Sequence, residues 1–175
     1  THYDRVSEQL PKDFFSFQLL ARMIMQGIPS NETLFLGNSI AIRAFDAVRF
    51  STPLDLDIIT NRGVSGIEGN LATSVGYAEA RQKRVTAVIG DVSLLHDLNS
   101  LMLMSESQTP VILIVPNNQG GKIFDRLPAR NFPELLDPYL TTPHTMNFKH
   151  AAEQFNLSYR LVTEPEDFGP SYRDA

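Results

Sequence analysis

Apolar residues follow two periods along this chain, and two short apolar runs set its frame. Residues 85–89 (VTAVI) and 111–115 (VILIV) are short and rich in β-branched side chains, the pattern of buried parallel strands whose two faces are both covered. Between them, leucines and methionines over residues 93–107 recur at helical spacing, so the three segments form a βαβ unit with a right-handed crossover. Both strands then point the same way. Their polar ends, Gly90-Asp91 and Pro116-Asn117-Asn118, come to one edge of the sheet, where such folds bind ligands.

The pattern extends in both directions. Phe14, Phe15, Leu19, Leu20, Met23 and Ile24 predict a helix that ends near Gly27 and Pro29. A strand over 33–36 opens into Gly37-Asn38-Ser39, and Ile40, Ala44, Ala47 and Val48 predict a second helix. Another strand follows over 57–60. On a helix over 70–81, Ala72, Gly76 and Ala80 recur at i+4 and are expected to pack closely on the sheet. Pro128, Pro133, Pro138 and Pro143 predict an irregular excursion with at most one short helix. Phe148, Ala151, Ala152 and Phe155 form a further helical stripe, and 158–162 reads as a strand. The fold class expected is α/β, a parallel sheet flanked by helices on both faces. Residues 1–12 read as a linker or the edge of a preceding domain and 13–175 as one domain. The closing EPEDFGPSYRDA has acidic residues suited to a helix start but stops before a helix completes, so the domain is expected to be truncated at its C-terminus.

Composition acts by exclusion. A chain of 175 residues with 42% hydrophobic residues is ordinary for one folded domain. Without cysteine there is neither disulfide nor thiolate chemistry. A net charge of −5 with no Lys/Arg stripe argues against nucleic acid as a partner. No run is long enough to span a bilayer and the start lacks a secretion signal, so no membrane partner and a cytoplasmic location are expected. GxGxxG and GxxxxGK[ST] are both absent, which removes the main support for nicotinamide and P-loop readings.

The residues at the strand ends carry the chemistry. Asp91 offers a carboxylate oxygen, Asn118 an amide oxygen, and the Gln119-Gly120-Gly121 turn a backbone carbonyl. That set suits magnesium, with manganese as an alternative, rather than zinc. Magnesium leaves positions for phosphate oxygens and water, so a phosphorylated ligand is implied, and the N–H groups of Val92 and Ser93 are placed to meet a phosphate. Taken singly, Gly-Asp and Asn-Asn are also ordinary turn dipeptides, and only their joint placement points to a metal. Ser39 fits a helix cap as well as a substrate contact. Arg43, at i+4 from it, fits a solvated helix arginine as well as a cleft mouth. Glycines in 63–69 permit backbone approach to a bound group, and Ile67 among them is either a loop anchor or a ligand contact. His96, His144 and His150 have no carboxylate or serine at triad-like spacing and read as structural or exposed.

Gly90-Asp91, with Asn118 following the aspartate by 27 residues, resembles the cofactor motif of thiamine diphosphate enzymes. The words GNSIAIR (37–43), NRGVSGIEGN (61–70), GDVSLLHDLNSL (90–101) and NNQGGKIF (117–124) are similar to the carboxyl-terminal, diphosphate-binding domain of the 2-succinyl-5-enolpyruvyl-6-hydroxy-3-cyclohexene-1-carboxylate synthases of menaquinone biosynthesis. The resemblance covers residues from about 14 to about 162.

The resemblance implies a thiamine diphosphate-binding fold with thiamine diphosphate and magnesium as cofactors. Asp91, Asn118 and Gly120 would be the metal ligands. Ser65, Gly66, Ile67, Gly90, Asp91, Val92, Ser93, Asn118, Gly120, Gly121 and Ile123 would contact the cofactor, with Ile67 propping it in a bent form. Ser39, Arg43, Arg62, Phe124 and Leu127 would face substrate, and the excursion after them would cover the site. The family decarboxylates 2-oxoglutarate and adds the succinyl unit to isochorismate. Both substrates carry carboxylates that the two arginines can fork. A homodimer or homotetramer is implied, with the activating glutamate in an amino-terminal domain across a subunit interface. Glu68 does not stand in for it, so this chain is expected to hold no catalytic residue and to be inactive alone. Three alternatives remain open. An acetolactate-synthase-type carboligase would share the metal motif but lack GNSIAIR and NRGVSGIEG. A flavodoxin-like module would use Asp91 as an acidic-pocket residue and Asn118 as a turn former, and in the third case the whole set would be structural.

Overall fold

Where both faces of a strand are covered, successive side chains serve opposite cores, and the two central strands divide their residues in this way. The computed structural model describes residues 16–48 and 55–175. Its strands are β1 (Thr33–Leu36), β2 (Asp57–Ile59), β3 (Val85–Val88) and β4 (Val111–Ile114), all parallel, in the order β2-β1-β3-β4. The helices are α1 (Phe17–Gly27), α2 (Ile40–Ala47), α3 (Asn70–Arg81), α4 (Asp91–His96), α5 (Leu101–Glu106), α6 (Pro133–Leu136), α7 (Lys149–Gln154) and α8 (Pro165–Arg173).

On one face Phe35, Val85, Ala87 and Ile89 pack with Leu71, Val75 and Ala78 of α3, Leu94 of α4, Leu101 of α5 and Phe148. On the other, Leu34, Leu36 and Val88 pack with Leu20 and Ile24 of α1, Ala41 of α2, and Phe168 and Tyr172 of α8. Each large side chain buried in this way is worth roughly 1.5–3 kcal/mol. Thr86 faces the second layer, and its hydroxyl is satisfied by the Tyr172 phenol at 2.7 Å, so no polar atom of that pair is orphaned. The expected α/β sheet with helices on both faces is therefore observed. β4 is only half-buried, because it is an edge strand among the described strands.

Several local expectations are corrected. The single helix read over 93–107 is two helices, α4 beginning at Asp91 and α5, separated by a 3-10 turn at Leu98–Ser100. Asp97 causes the break. It leaves the helical region at φ −125°, accepts the Leu71 N–H at 2.6 Å and takes the Ser100 hydroxyl at 2.6 Å. It thereby caps α3 from a distance, where the residue before that helix, Gly69, is left-handed and has no side chain to do so. The small-residue stripe on α3 does not meet the sheet. Gly76 and Ala80 are exposed, and Leu71, Ser74, Val75 and Ala78 are the buried positions, since an aliphatic stripe removes more area from water.

Residues 158–162 form no strand. They have no ladder partner among the described residues, and Arg160 turns instead to the Ser171 carbonyl and the Asp174 carboxylate. The acidic C-terminal segment does complete a helix, α8, because burial of Phe168 and Tyr172 outweighs the breaking tendency of Gly169-Pro170. A 3-10 turn at Phe124–Arg126 leads into the proline-rich excursion, itself a chain of short turns: a 3-10 turn at Pro128–Asn131, α6, and a π turn at Asp137–Thr141. Phe14, Phe15 and the 1–12 linker lie outside the described residues.

The connection between α5 and β4 is held by one carboxylate. Glu79 Oε1 accepts the Ser107 hydroxyl at 2.7 Å and the N–H groups of Gln108 and Thr109 at 2.7 and 2.8 Å. The Ser107 bond, followed by the backbone bonds, holds the Glu79 carboxyl below the ordinary range. A lowered folded value contributes stability that is present above the unfolded glutamate range, about pH 4.3. That stability is lost as pH falls through the folded value. Glu79→Ala is thus expected to lower Tm at pH 7, and the gap to wild type should close on acidification towards pH 3. Thermal unfolding followed by circular dichroism reads this, and a gap that stays constant with pH contradicts it.

Candidate metal centre

β1 and β3 are neighbours, but the chain leaves β1 for α2 on one face and β3 for α4 on the other. That reversal opens a crevice at the carboxyl ends of the strands. The crevice here is a cavity of about 300 Å³ lined by Asn38, Ser39 and Ile40 after β1, by Gly90, Asp91, Val92 and Ser93 after β3, and by Asn118, Gly120 and Gly121 after β4. Ile67 joins from the glycine-rich loop, Ile123 and Phe124 from just after the glycine turn, and Leu140 and Thr142 from the excursion. Most residues expected at the site are therefore brought together.

Asp91 is 3% exposed and ties two strand ends to each other. Its Oδ1 accepts the Val92 N–H at 2.8 Å, and its Oδ2 accepts the Gly120 N–H at 3.1 Å. The first bond corrects the expectation that the Val92 N–H points at a phosphate. The second places the glycine turn directly against the carboxylate. The Gly120 carbonyl accepts the Lys122 N–H at 2.9 Å and keeps a second lone pair.

Asn118 Oδ1 is buried and has no hydrogen-bond partner. An amide oxygen left in this way costs about 1–3 kcal/mol unless something satisfies it. A hard cation shared with Asp91 would do so, and the donor set fits one. Among the described residues no three His, Cys, Asp or Glu side chains cluster to hold a metal. A cation here would lean on one carboxylate, one amide, backbone and ligand oxygens, the pattern of magnesium rather than zinc.

His144, read from the sequence as structural or exposed, reaches this centre. Its Nε2 lies 3.3 Å from Asp91 Oδ2, off-line for a hydrogen bond, with the side chain 11% exposed. The segment around it is laced to the glycine turn. The Gly121 N–H donates to the Thr141 carbonyl at 2.6 Å, the His144 N–H to the Gln119 carbonyl at 3.3 Å, and Asn117 Nδ2 to the Met146 carbonyl at 2.8 Å. No local spacing signals this contact, because the histidine and the aspartate meet only through the fold.

Five expected residues stand outside the cavity wall. Arg43 is exposed and its Nη1 donates to the Ser39 carbonyl at 2.6 Å. Arg62 Nη1 donates to Asn38 Oδ1 at 2.8 Å. Ser65, at φ 62°, donates its hydroxyl to the Arg62 carbonyl at 3.2 Å. Gly66 offers its carbonyl to Asn38, and Leu127 is 47% exposed. Ser39 lines the cavity but makes no capping bond, so the cap reading is corrected. It stands at φ 69°, ψ −126°, a strained conformation for a residue with a side chain. Asn38 and Lys122, which no sequence signal marks for a site role, also line the cavity, and so does His96, which reads from the sequence as structural or exposed.

A family model described as the thiamine pyrophosphate enzyme, C-terminal TPP binding domain, matches residues 42–175. The chain belongs to that family. Over its full length this TPP-binding domain is 53% identical to the 2-succinyl-5-enolpyruvyl-6-hydroxy-3-cyclohexene-1-carboxylate synthase of Syntrophus aciditrophicus, of which it spans 30%. It is 42% identical over 81% of its length to the synthase of the same name from Aeromonas salmonicida, spanning 25% of that protein. In fold it is similar to the Rhodococcus jostii RHA1 thiamine diphosphate-dependent 4-hydroxybenzoylformate decarboxylase. The TM-score is 0.73 at 19% identity, covering 95% of this chain and 31% of that one.

One substitution probes the centre of this TPP-binding domain from its backbone. Gly120 sits at φ +146°, and a Cβ there would stand 2.7 Å from the Thr141 carbonyl oxygen. Gly120→Ala is expected to push the turn off the 141–146 segment and weaken Mn²⁺ binding at least tenfold, with the far-UV dichroism unchanged. A Mn²⁺ titration followed by paramagnetic resonance measures it, and wild-type affinity in the variant contradicts it.

Proposed function

We propose that this domain holds the diphosphate of thiamine diphosphate through a magnesium ion at Asp91 and Asn118. We further propose that it does so as part of a carboligase that joins a succinyl unit from 2-oxoglutarate to isochorismate. The observation that carries the reading is the buried, unpartnered Asn118 Oδ1 in the same cavity wall as Asp91. The names of the relatives support the choice of carboligase. When bound, the cofactor supplies the carbanion chemistry and electron sink of decarboxylation and transfer.

The residues of this chain bind and orient. Asp91 and Asn118 fix the cation, with Gly120 offering the free lone pair of its carbonyl. Ile67 and Ile123 present apolar surface to the cofactor, and Phe124 closes the substrate side. Arg43, on α2 after β1, and Arg62, in the loop after β2, meet substrate carboxylates. Glu68 is exposed and outside the cavity wall. The group that activates the cofactor's pyrimidine is therefore assigned to another domain of a paired, cytoplasmic enzyme, and this stretch by itself is inactive.

Calorimetry of thiamine diphosphate with and without Mg²⁺ tests the cofactor half. Binding that requires the metal is expected, whereas no binding, or binding indifferent to Mg²⁺, would leave a flavodoxin-like module as the better reading. A product assay on the whole enzyme with 2-oxoglutarate and isochorismate tests the substrate half. Turnover of pyruvate instead would place the chain with the acetolactate-synthase type.

A further inference from the structure

Asn38 is 3% exposed and uses both ends of its amide. Its Nδ2 donates to the Asn61 carbonyl at 3.0 Å and to the Gly66 carbonyl at 2.6 Å, and its Oδ1 accepts from Arg62 Nη1 at 2.8 Å. Two carbonyls on one side and a guanidinium on the other leave a single sensible orientation of the amide. Behind the same loop, Asn70 Nδ2 donates to the Ile67 carbonyl at 2.8 Å. Two buried asparagines, one just after β1 and one at the start of α3, therefore hold the glycine-rich loop, and Asn70 Nδ2 also reaches the Gly66 carbonyl, at 3.4 Å. That loop carries Ile67 into the cavity and begins at Arg62.

We infer that Asn38 is a positioning residue that sets the cofactor-facing loop and the substrate-facing guanidinium at once, its Nδ2 placing Ile67 through Gly66 and its Oδ1 placing Arg62. The inference rests on the proposed cofactor reading for its consequence, but its two arms are separable within this chain. An aspartate at 38 keeps an acceptor for Arg62 and sets an oxygen against the Asn61 and Gly66 carbonyls. A leucine of similar volume removes both arms.

The test compares wild type, Asn38→Asp and Asn38→Leu by amide hydrogen exchange, by the Arg62 side-chain guanidinium resonance in ¹⁵N NMR, and by calorimetry with thiamine diphosphate and Mg²⁺. In both variants, amides over 61–69 are expected to exchange at least tenfold faster while those of β1, β3 and α3 keep their rates. The Arg62 resonance should remain ordered in Asn38→Asp and collapse in Asn38→Leu, a split that a merely structural role would not produce. Cofactor affinity should fall at least tenfold in both. Unchanged exchange over 61–69, acceleration spread evenly through the sheet, or an Arg62 signal that responds alike in the two variants would overturn the inference. Absence of cofactor binding in the wild type, with the exchange and resonance pattern intact, would sink the cofactor reading and leave the clamp standing.

Discussion

Asp91→Ala is expected to weaken magnesium-dependent binding of thiamine diphosphate by at least a hundredfold, which corresponds to about 2.7 kcal/mol. The carboxylate has two tasks that the substitution removes together. It would supply the charged ligand to the cation, and it already accepts the N–H groups of Val92 and Gly120. Asp91→Asn separates these tasks, since an amide oxygen can still accept the Gly120 N–H but brings no charge to the metal. The asparagine variant should therefore keep the fold and lose most of the affinity. Titration calorimetry beside thermal unfolding measures both quantities, and an alanine variant that binds like wild type in the presence of Mg²⁺ would end the assignment.

The largest effect on stability is expected at Asp97, away from the cavity wall. Its carboxylate is buried and accepts the Leu71 N–H and the Ser100 hydroxyl, both at 2.6 Å. Asp97→Ala removes the cap of α3 and leaves a buried N–H unsatisfied, a loss of about 2–4 kcal/mol. For a domain of this size that lowers Tm by roughly 5–15 °C. Asp97→Asn retains an acceptor and should recover about half of the loss. Denaturant unfolding at neutral pH provides the measurement, and a change within about 0.5 kcal/mol, the range of an ordinary surface substitution, would show that the cap is redundant.

The parts of this protein that were legible in its sequence are those whose signals are local. The runs ending in Gly90-Asp91 and Asn117-Asn118 declare two parallel strands and their shared edge, and Asp91 and Asn118 stand in one cavity wall. Nothing local in GNSIAIR separates Asn38 from an ordinary turn former, because a buried asparagine shows its role only through partners at 61, 62 and 66 that the fold brings to it. His144 is likewise unmarked, because the contact with Asp91 is made by a long excursion folding back. The misreadings on α3 and at 158–162 share one cause. A small-residue stripe and a β-like pentapeptide are propensities, and packing of Leu71, Val75 and Ala78, or the lack of a neighbouring strand among the described residues, overrode them. The closing segment reads as too short to complete a helix for the same reason, because the anchoring of α8 by Phe168 and Tyr172 is a packing effect that no local signal announces.

β3 and β4 are aligned with Val85 opposite Val111 and Val88 opposite Ile114, so the carboxylate and the amide sit a few residues beyond the same rung. Sliding β4 by one rung would move its end by about 3.3 Å, far more than the play around a divalent ion allows, and would invert its inward and outward side chains. An ion held between the two tips would thus act as a gauge of strand alignment, fastening the outer ribbon of the sheet in the one setting that the oily layers beneath it also prefer.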